Sequence, residues 1–264
     1  MDRPLLEALF QRYGFDFRSY DRLAVRRKMH ALMQERGLSS VSMLQNRVLH
    51  EAGASHALLR ALSVPPAELF DSPELARSLR TVFRSSLGAS AMPRIWLAEC
   101  GGAEEAWSLA ILLADEQLIA RTEIHATSSN EQVLANTFDA GIDPARMPEY
   151  QQRYEQSGGC GKLEDYFEKE GGRLVLVPQL RSRISWAQYN LVTDASFNEF
   201  ELIVCRRALP DFGPVLRRRV LRLFHDSLSR FGMLLIDREF ETGEPLSDSY
   251  QHVLPYQGLY KRVA

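Results

Sequence analysis

Arg94-Ile-Trp-Leu-Ala-Glu-Cys-Gly-Gly-Ala-Glu-Glu-Ala-Trp-Ser-Leu-Ala110 reads as a buried strand, a tight turn of small residues, and a helix that opens on two carboxylates. In an α/β sheet that arrangement sets backbone N–H groups and a helix N-terminus beside a crevice where a nucleotide-like ligand can sit. The run lacks the full G-x-G-x-x-G spacing, so it suits both a ligand loop and a plain turn.

Downstream of this stretch, strand and helix patterns alternate. Strands are expected at 94–98, 123–127, 184–189, 200–205 and 233–237, with a last one around 259–263, and helices at 104–116, 131–140 and 215–229. Such alternation implies a mostly parallel sheet covered on both faces. Residues 142–180 break the rhythm. They are rich in Tyr, Gly and charge, with Gly158-Gly-Cys-Gly161 and Gly171-Gly172 marking turns, and are expected to form an inserted lobe over the crevice.

Upstream, apolar residues recur at helical spacing: Leu5, Leu9 and Tyr13, then Met29, Leu32 and Met33, then Leu44 and Val48, then Leu58, Leu59 and Leu62. Gly14, Gly37 and Gly53 punctuate these runs as helix stops. The organisation expected is a small helical domain over 1–84, a linker at 85–93, and an α/β domain over 94–264.

Composition narrows the class. A chain of 264 residues with 45% hydrophobic content can bury a sizeable core, and a net charge of −2 gives no global pull towards nucleic acid or membrane. The cysteines, Cys100, Cys160 and Cys205, are far apart and fall in no metal-ligand spacing, so a reducing, cytoplasmic setting is expected. Asp2 and Arg3 lead into an amphipathic stretch rather than a signal peptide, and no apolar run approaches a membrane span. The histidines form no metal-ligand pattern, so no metal site is expected.

A set of motifs, in chain order, carries a resemblance. They are Tyr20-Asp-Arg-Leu-Ala-Val-Arg-Arg-Lys28, Ala61-Leu-Ser-Val64, Asp71-Ser-Pro-Glu74, Ala98-Glu-Cys-Gly-Gly-Ala-Glu-Glu105, Ala126-Thr127, Asn190-Leu191, and Val204-Cys-Arg206 followed by Leu209 and Phe212. In this order they resemble the CheR-type bacterial methyltransferases, which move a methyl group from S-adenosylmethionine to glutamates on chemoreceptor helices. The resemblance runs over nearly the whole chain. It implies an all-helical N-terminal domain and a Rossmann-like class I methyltransferase domain with a seven-stranded, mostly parallel sheet. It also implies that the cofactor lies against Cys100, Gly101, Gly102, Glu105, Asn190, Leu191 and Arg206, with Glu105 meeting the cofactor's amino group and Asn190 and Leu191 bordering the adenine.

The chain departs from that family pattern at several positions. Where the family carries an Asn, a Thr and an Arg at the end of the helical domain, this chain has Pro65, Ala67 and Asp71. Proline supplies no N–H, alanine no side-chain hydrogen bond, and an aspartate repels a carboxylate. Glu99 and Ala103 replace small residues and a glycine of the loop. Ser128 stands where an acid would bind ribose hydroxyls, a loss of about 1.5–3 kcal/mol. Arg207 and Asp211 replace an Asn and a Tyr, so two positions that shape the chemistry, 71 and 211, are both aspartate.

These departures imply an eroded cofactor site and a non-catalytic signalling or scaffold protein. Two other readings stay open: a glutamate methyltransferase rebuilt around Glu105, Asn190 and Leu191, and a module that holds an anionic nucleotide against Arg206 and Arg207. The basic run Arg22, Arg26, Arg27 and Lys28 suits either docking to an acidic helical face of a receptor or an ordinary solvated surface, and Arg217-Arg-Arg219 with Arg222 is expected to be solvated. Asn130 is expected to cap a helix and Trp107 to sit in the core.

Overall fold

The computed structural model describes residues 3–51, 53–87, 90–240, 244 and 246–263. Helices α1 (Arg3–Tyr13), α2 (Arg22–Glu35), α3 (Val41–His50) and α4 (Ala54–Leu62) enclose a core built on Leu5, Leu9, Met29, Leu44 and Leu58. Asp21 caps α2 by accepting from the backbone N–H groups of Leu23 and Ala24, and Ser40 caps α3 from Met43. Gly14 and Gly37 follow α1 and α2 in the left-handed region, as expected of helix stops. Gly53 differs, since it opens α4 rather than closing α3.

Helix α5 (Pro73–Ser86) belongs to another core. Its buried Leu75, Leu79 and Phe83 pack with α6 (Ala103–Asp115) and α8 (Met147–Gln156), not with the four preceding helices. The sequence grouped α5 with those helices because periodicity identifies an amphipathic helix without saying which core its apolar stripe meets. Ser85 and Ser86 complete α5 and Leu87 is buried, while Gly88 and Ala89 lie outside the described residues.

The main sheet runs in the order β5-β2-β1-β6-β7-β9-β8. Its strands are β1 (Arg94–Leu97), β2 (Glu123–Ser128), β5 (Ile184–Gln188), β6 (Phe200–Cys205), β7 (Leu228–Ile236), β8 (Tyr250–Leu254) and β9 (Leu259–Arg262). β1, β2, β5, β6 and β7 pair in parallel, and β9 runs antiparallel to both β7 and β8. Strand β8 was not read from the sequence, because an edge strand with Gln251 and His252 exposed carries little apolar signal.

β1 pairs with β2 from Arg94↔Glu123 to Leu97↔Ala126 and with β6 from Ile95↔Leu202 to Leu97↔Val204. From Ile95 to Ala98 its residues point alternately to two buried faces, which is why that run is apolar throughout. Ile95 and Leu97 enter the core shared with α5, α6 and α8, whereas Trp96 and Ala98 enter the core under α10 (Pro214–Ser227). Trp96 sits among Tyr189, Phe197, Phe200 and Phe224 and donates its indole N–H to Thr127 Oγ1 at 2.8 Å.

The sheet is completed on one side by α7 (Glu131–Phe138) between β2 and the inserted lobe. That lobe holds α8, a hairpin of β3 (Phe167–Glu170) and β4 (Arg173–Leu176), and the short α9 (Pro178–Arg181). A short bridge ties the first helices to the sheet. Tyr20 pairs with Phe212, their rings meeting edge to face at 5.0 Å, while Asp21 N donates to Asp211 O at 2.7 Å and Gly213 N to Ser19 O at 3.0 Å. Among the described residues no helix is long and apolar enough to cross a membrane.

Candidate functional site

The carboxyl ends of β1, β2 and β6 meet where the strand order reverses, the place at which open α/β sheets bind ligands. Ala98 N donates to Val204 O at 2.8 Å and Cys100 N to Thr127 O at 2.7 Å, so the turn after β1 is stitched to both neighbouring strands. Glu99 takes a left-handed φ of 55°, which costs a non-glycine residue about 1–2 kcal/mol. The conformation turns its carboxylate inward, where Glu99 Oε1 accepts from Ser129 Oγ at 2.8 Å and from Ser129 N at 3.3 Å. Burial raises the Glu99 pKa to about 7, opposed by the Ser129 hydrogen bonds and the Lys28 charge.

Strain therefore sits at Glu99 and not at Ala103, which simply begins α6 after an extended Gly102. Gly101 is required for a different reason. A Cβ there would lie 2.4 Å from the Pro65 carbonyl oxygen and 3.2 Å from Pro66 Cα. The Pro65–Pro66 backbone rests directly on the small-residue turn.

The loop between α4 and α5 is held there by α6. Leu69 N donates to Glu104 Oε2 at 2.9 Å, Phe70 N to Ser108 Oγ at 3.0 Å, and Tyr150 O–H to Glu104 Oε2 at 2.8 Å. Glu68 bonds Arg146 and Arg153, each at 2.7 Å, and these arginines hold its carboxyl below the usual range. Reading the sequence singled out Glu105 and passed over Glu104. The signal was two acids in the first turn of a helix, where the dipole favours both.

At the mouth of the crevice four charged side chains form ion pairs, although Arg207 Nε and Nη2 are buried without a hydrogen-bond partner. Arg206 Nη1 lies 3.3 Å from Asp71 Oδ1, Arg207 Nη1 3.6 Å from Asp71 Oδ2, and Arg207 Nη2 3.2 Å from Glu105 Oε1. Arg207 is also left-handed, with φ 73°, and its N–H donates to Asp237 Oδ2 at 2.7 Å. Burial raises the Glu105 pKa, and Arg207 and Arg206 pull it back. Cys100 is buried with its Sγ 3.1 Å from Gly102 O, and burial pushes its thiol pKa well up. Asp71, Cys100, Gly101, Gly102, Glu105, Arg206 and Arg207 are thus brought together, but as partners of each other. This arrangement does not present Arg206 and Arg207 as an anion site, because two carboxylates neutralise them.

The far side of the crevice is also spent on internal contacts. Ser128 is buried, and its Oγ accepts from Asn130 N at 3.4 Å. Asn130 caps α7 through Gln132 N, as expected, and donates across the crevice to Ser63 Oγ at 3.0 Å. Asn190 Oδ1 accepts from Val192 N at 2.9 Å in a turn closed by Asp194, and Leu191 is buried in the core beneath. Ala67 is buried on the loop that carries Pro65.

One basic group is placed differently from the docking reading, while the second keeps Arg218, Arg219 and Arg222 exposed as expected. Lys28, read with Arg22, Arg26 and Arg27 as a docking face, turns inward: Lys28 Nζ donates to Leu62 O at 3.2 Å and Ser63 O at 3.0 Å, and pairs with Asp211. Arg22, Arg26 and Arg27 stay exposed on α2. In the second cluster, Arg219 Nη1 donates to Leu191 O at 2.8 Å and Arg217 Nη2 to Phe212 O at 3.0 Å, so these side chains fasten loops. Spacing along a helix cannot show that a long cationic side chain reaches a carbonyl on another element.

Against an adenosyl cofactor this geometry fits poorly. A ribose would meet the Ser128 hydroxyl rather than a carboxylate, an ammonium would compete with Arg207 for Glu105, and a ligand carboxylate would face Asp71 and Glu99.

Comparison with known proteins gives the lineage. Residues 3–63 match the family described as CheR methyltransferase, all-alpha domain, and residues 70–244 match CheR methyltransferase, SAM binding domain. The chain is 33% identical over 262 residues to the putative methyltransferase Cher3 of Pseudomonas putida, covering 98% of this chain and 96% of that protein. It is 25% identical over 244 residues to chemotaxis protein methyltransferase 1 of Pseudomonas aeruginosa, covering 89% and 88%. It is 26% identical over 232 residues to an uncharacterized 104.1 kDa protein of Rhodobacter capsulatus, covering 84% of this chain but 23% of that one. With its small all-helical part, its class I methyltransferase sheet and these matches, the chain belongs to the CheR methyltransferase family, whose cofactor is S-adenosylmethionine.

Proposed function

We propose that this chain is a member of the family that has given up methyl transfer and acts in the cytoplasm as a non-catalytic signalling or scaffold protein of a bacterial chemosensory-like pathway. The observation that carries the reading is the placement of Arg207 between Glu105 and Asp71, at 3.2 Å and 3.6 Å. Methyl transfer from a sulfonium needs positioning more than acid–base help, and here the groups that would position the cofactor hold each other. On this reading the chain forms two units that meet between residues 63 and 72, with α5 part of the second.

The partner is a receptor or other signalling protein with an acidic helical face, which Arg22, Arg26 and Arg27 would meet across the exposed side of α2. Leu23, 69% exposed among them, adds an apolar contact.

Calorimetric titration of ligand-free protein with S-adenosylmethionine and S-adenosylhomocysteine tests the proposal. Absence of binding up to about millimolar ligand is expected, as four lost contacts of about 1 kcal/mol each weaken binding by roughly a thousandfold. Low-micromolar binding, with methylation of a receptor fragment that is lost in Glu105→Ala, would instead establish an active enzyme.

A further inference from the structure

A second cavity opens beyond the crevice, at the end of β7. It measures about 500 Å³, within the range of small-ligand sites. Leu75 and Ile236 give it apolar surface, and the turn joining β8 to β9 contributes Tyr256 and Gln257. That turn is fastened to β7: Ile236 N donates to Gly258 O at 2.9 Å, and a Cβ at Gly258 would lie 1.9 Å from Ile236 O. Tyr256 is held there at a left-handed φ of 65° while 92% exposed, so neither its backbone nor its ring gains from packing. Gln257 Oε1 is buried without a hydrogen-bond partner, and an oxygen in that condition calls for a donor. The charges left over are negative. Arg206 and Arg238 line the cavity, but Asp71 holds the first at 3.3 Å and Glu244 the second at 2.7 and 3.1 Å. Glu74 and Glu239 form no ion pair among the described residues, and Asp237 Oδ2 accepts from the Arg207 N–H at 2.7 Å.

We infer that this cavity binds a linear aliphatic polyamine. Glu74, Asp237 and Glu239 line one cavity without a cationic side chain of their own. A single small cation balances one of these carboxylates, whereas a chain with three ammonium groups balances all of them. Methylene spacers suit Leu75 and Ile236, which offer no hydrogen bond, and the exposed Tyr256 ring attracts an ammonium to its face. Gln257 Oε1 accepts the N–H that a polyamine supplies and that a carboxylate or a phosphate dianion lacks. Asp71, Glu105 and Arg207 are not among the described residues that line the cavity, so the site stands apart from the ion pairs of the crevice. The inference is also separate from the proposed function: S-adenosylmethionine binding would overturn that reading and leave this one standing.

The test is calorimetry and thermal shift on the full chain with spermidine at fixed ionic strength. Putrescine and n-butylamine serve as probes of lower charge, magnesium chloride as a cation without methylenes, and tri-lysine as a probe for the basic side chains of a protein. Spermidine is expected to bind and to raise the unfolding midpoint, with each of the other four at least about tenfold weaker. Glu239→Gln is expected to weaken spermidine at least about threefold. Tyr256→Gly, which removes the ring and relieves the left-handed residue, is expected to weaken it similarly without lowering the midpoint of the free protein. No response to spermidine at about 10 mM, an equal response to any of the other four probes, or spermidine affinity unchanged in either variant would overturn the inference. Should Tyr256→Gly fail to fold, the ligand series and Glu239→Gln decide by themselves.

Discussion

Arg207 Nη2 lies 3.2 Å from Glu105 Oε1 while Nη1 of the same guanidinium lies 3.6 Å from Asp71 Oδ2. One cation at the end of β6 therefore spans a carboxylate on α6 and another on the loop before α5. The resemblance places an arginine at position 71 and an asparagine at 207, so the positive charge has crossed the crevice. Exchanging the charges back, in Asp71→Arg with Arg207→Asn, is expected to release Glu105 and strengthen S-adenosylhomocysteine binding at least about tenfold. Titration of the double variant beside the unaltered protein checks this, and equal affinities would refute it.

Lys28 and Asp211 stand 183 positions apart and join α2 to the loop after β6, with side chains only 22% and 13% exposed. Removing either partner leaves the other charge half-buried without its counter-ion. Lys28→Ala or Asp211→Ala is expected to cost about 2–3 kcal/mol in urea unfolding. The double variant should lose clearly less than the sum, because the two residues share one interaction. Additive losses would mean that the pair contributes nothing.

Glu99 sets a pH dependence. Its pKa is raised from 4.5 to about 7 by burial, so between those values the folded state keeps a proton that the unfolded state has released. Stability from this group is complete below pH 4.5, falls as pH rises to about 7, and stays lost above it. Glu99→Gln is expected to flatten that fall and to be more stable than the unaltered protein above neutrality. Thermal unfolding midpoints of both proteins across this range give the comparison, and parallel profiles would contradict it.

Gly101→Ala places a Cβ 2.4 Å from the Pro65 carbonyl oxygen, a backbone atom that two consecutive prolines keep from moving aside. The expected loss is about 1–3 kcal/mol. Gly102→Ala, whose Cβ would meet Pro66 Cβ at 3.5 Å, is the control and should cost far less. Equal losses at the two positions would show that the contact with Pro65 is not the cause.

Much of the sheet was legible because its strands are buried on both faces. Uninterrupted apolar runs such as Ile95-Trp-Leu97 and Leu202-Ile-Val204 announce such strands, and the helices between them repeat at their own period. Tyr250–Leu254 escaped because an edge strand is half polar. The hairpin of β3 and β4 was anticipated only as a lobe with glycine turns. Of the residues grouped after β1, Cys100, Glu105 and Arg206 were named from the family resemblance, because a turn of small residues between a strand and a helix suits a plain turn as well as a ligand loop.

The sequence by itself determined the element order, the two faces of the sheet and the place of the crevice, because hydrophobic period and turn chemistry act over short distances. Only the tertiary structure decided the partners. Lys28 with Asp211, Arg207 with Glu105, Glu104 under Leu69 and the core that receives α5 all join residues far apart in the chain. A charged residue in a sequence carries its sign but not the direction of its side chain, and here that direction separates a surface cation from one that closes a crevice.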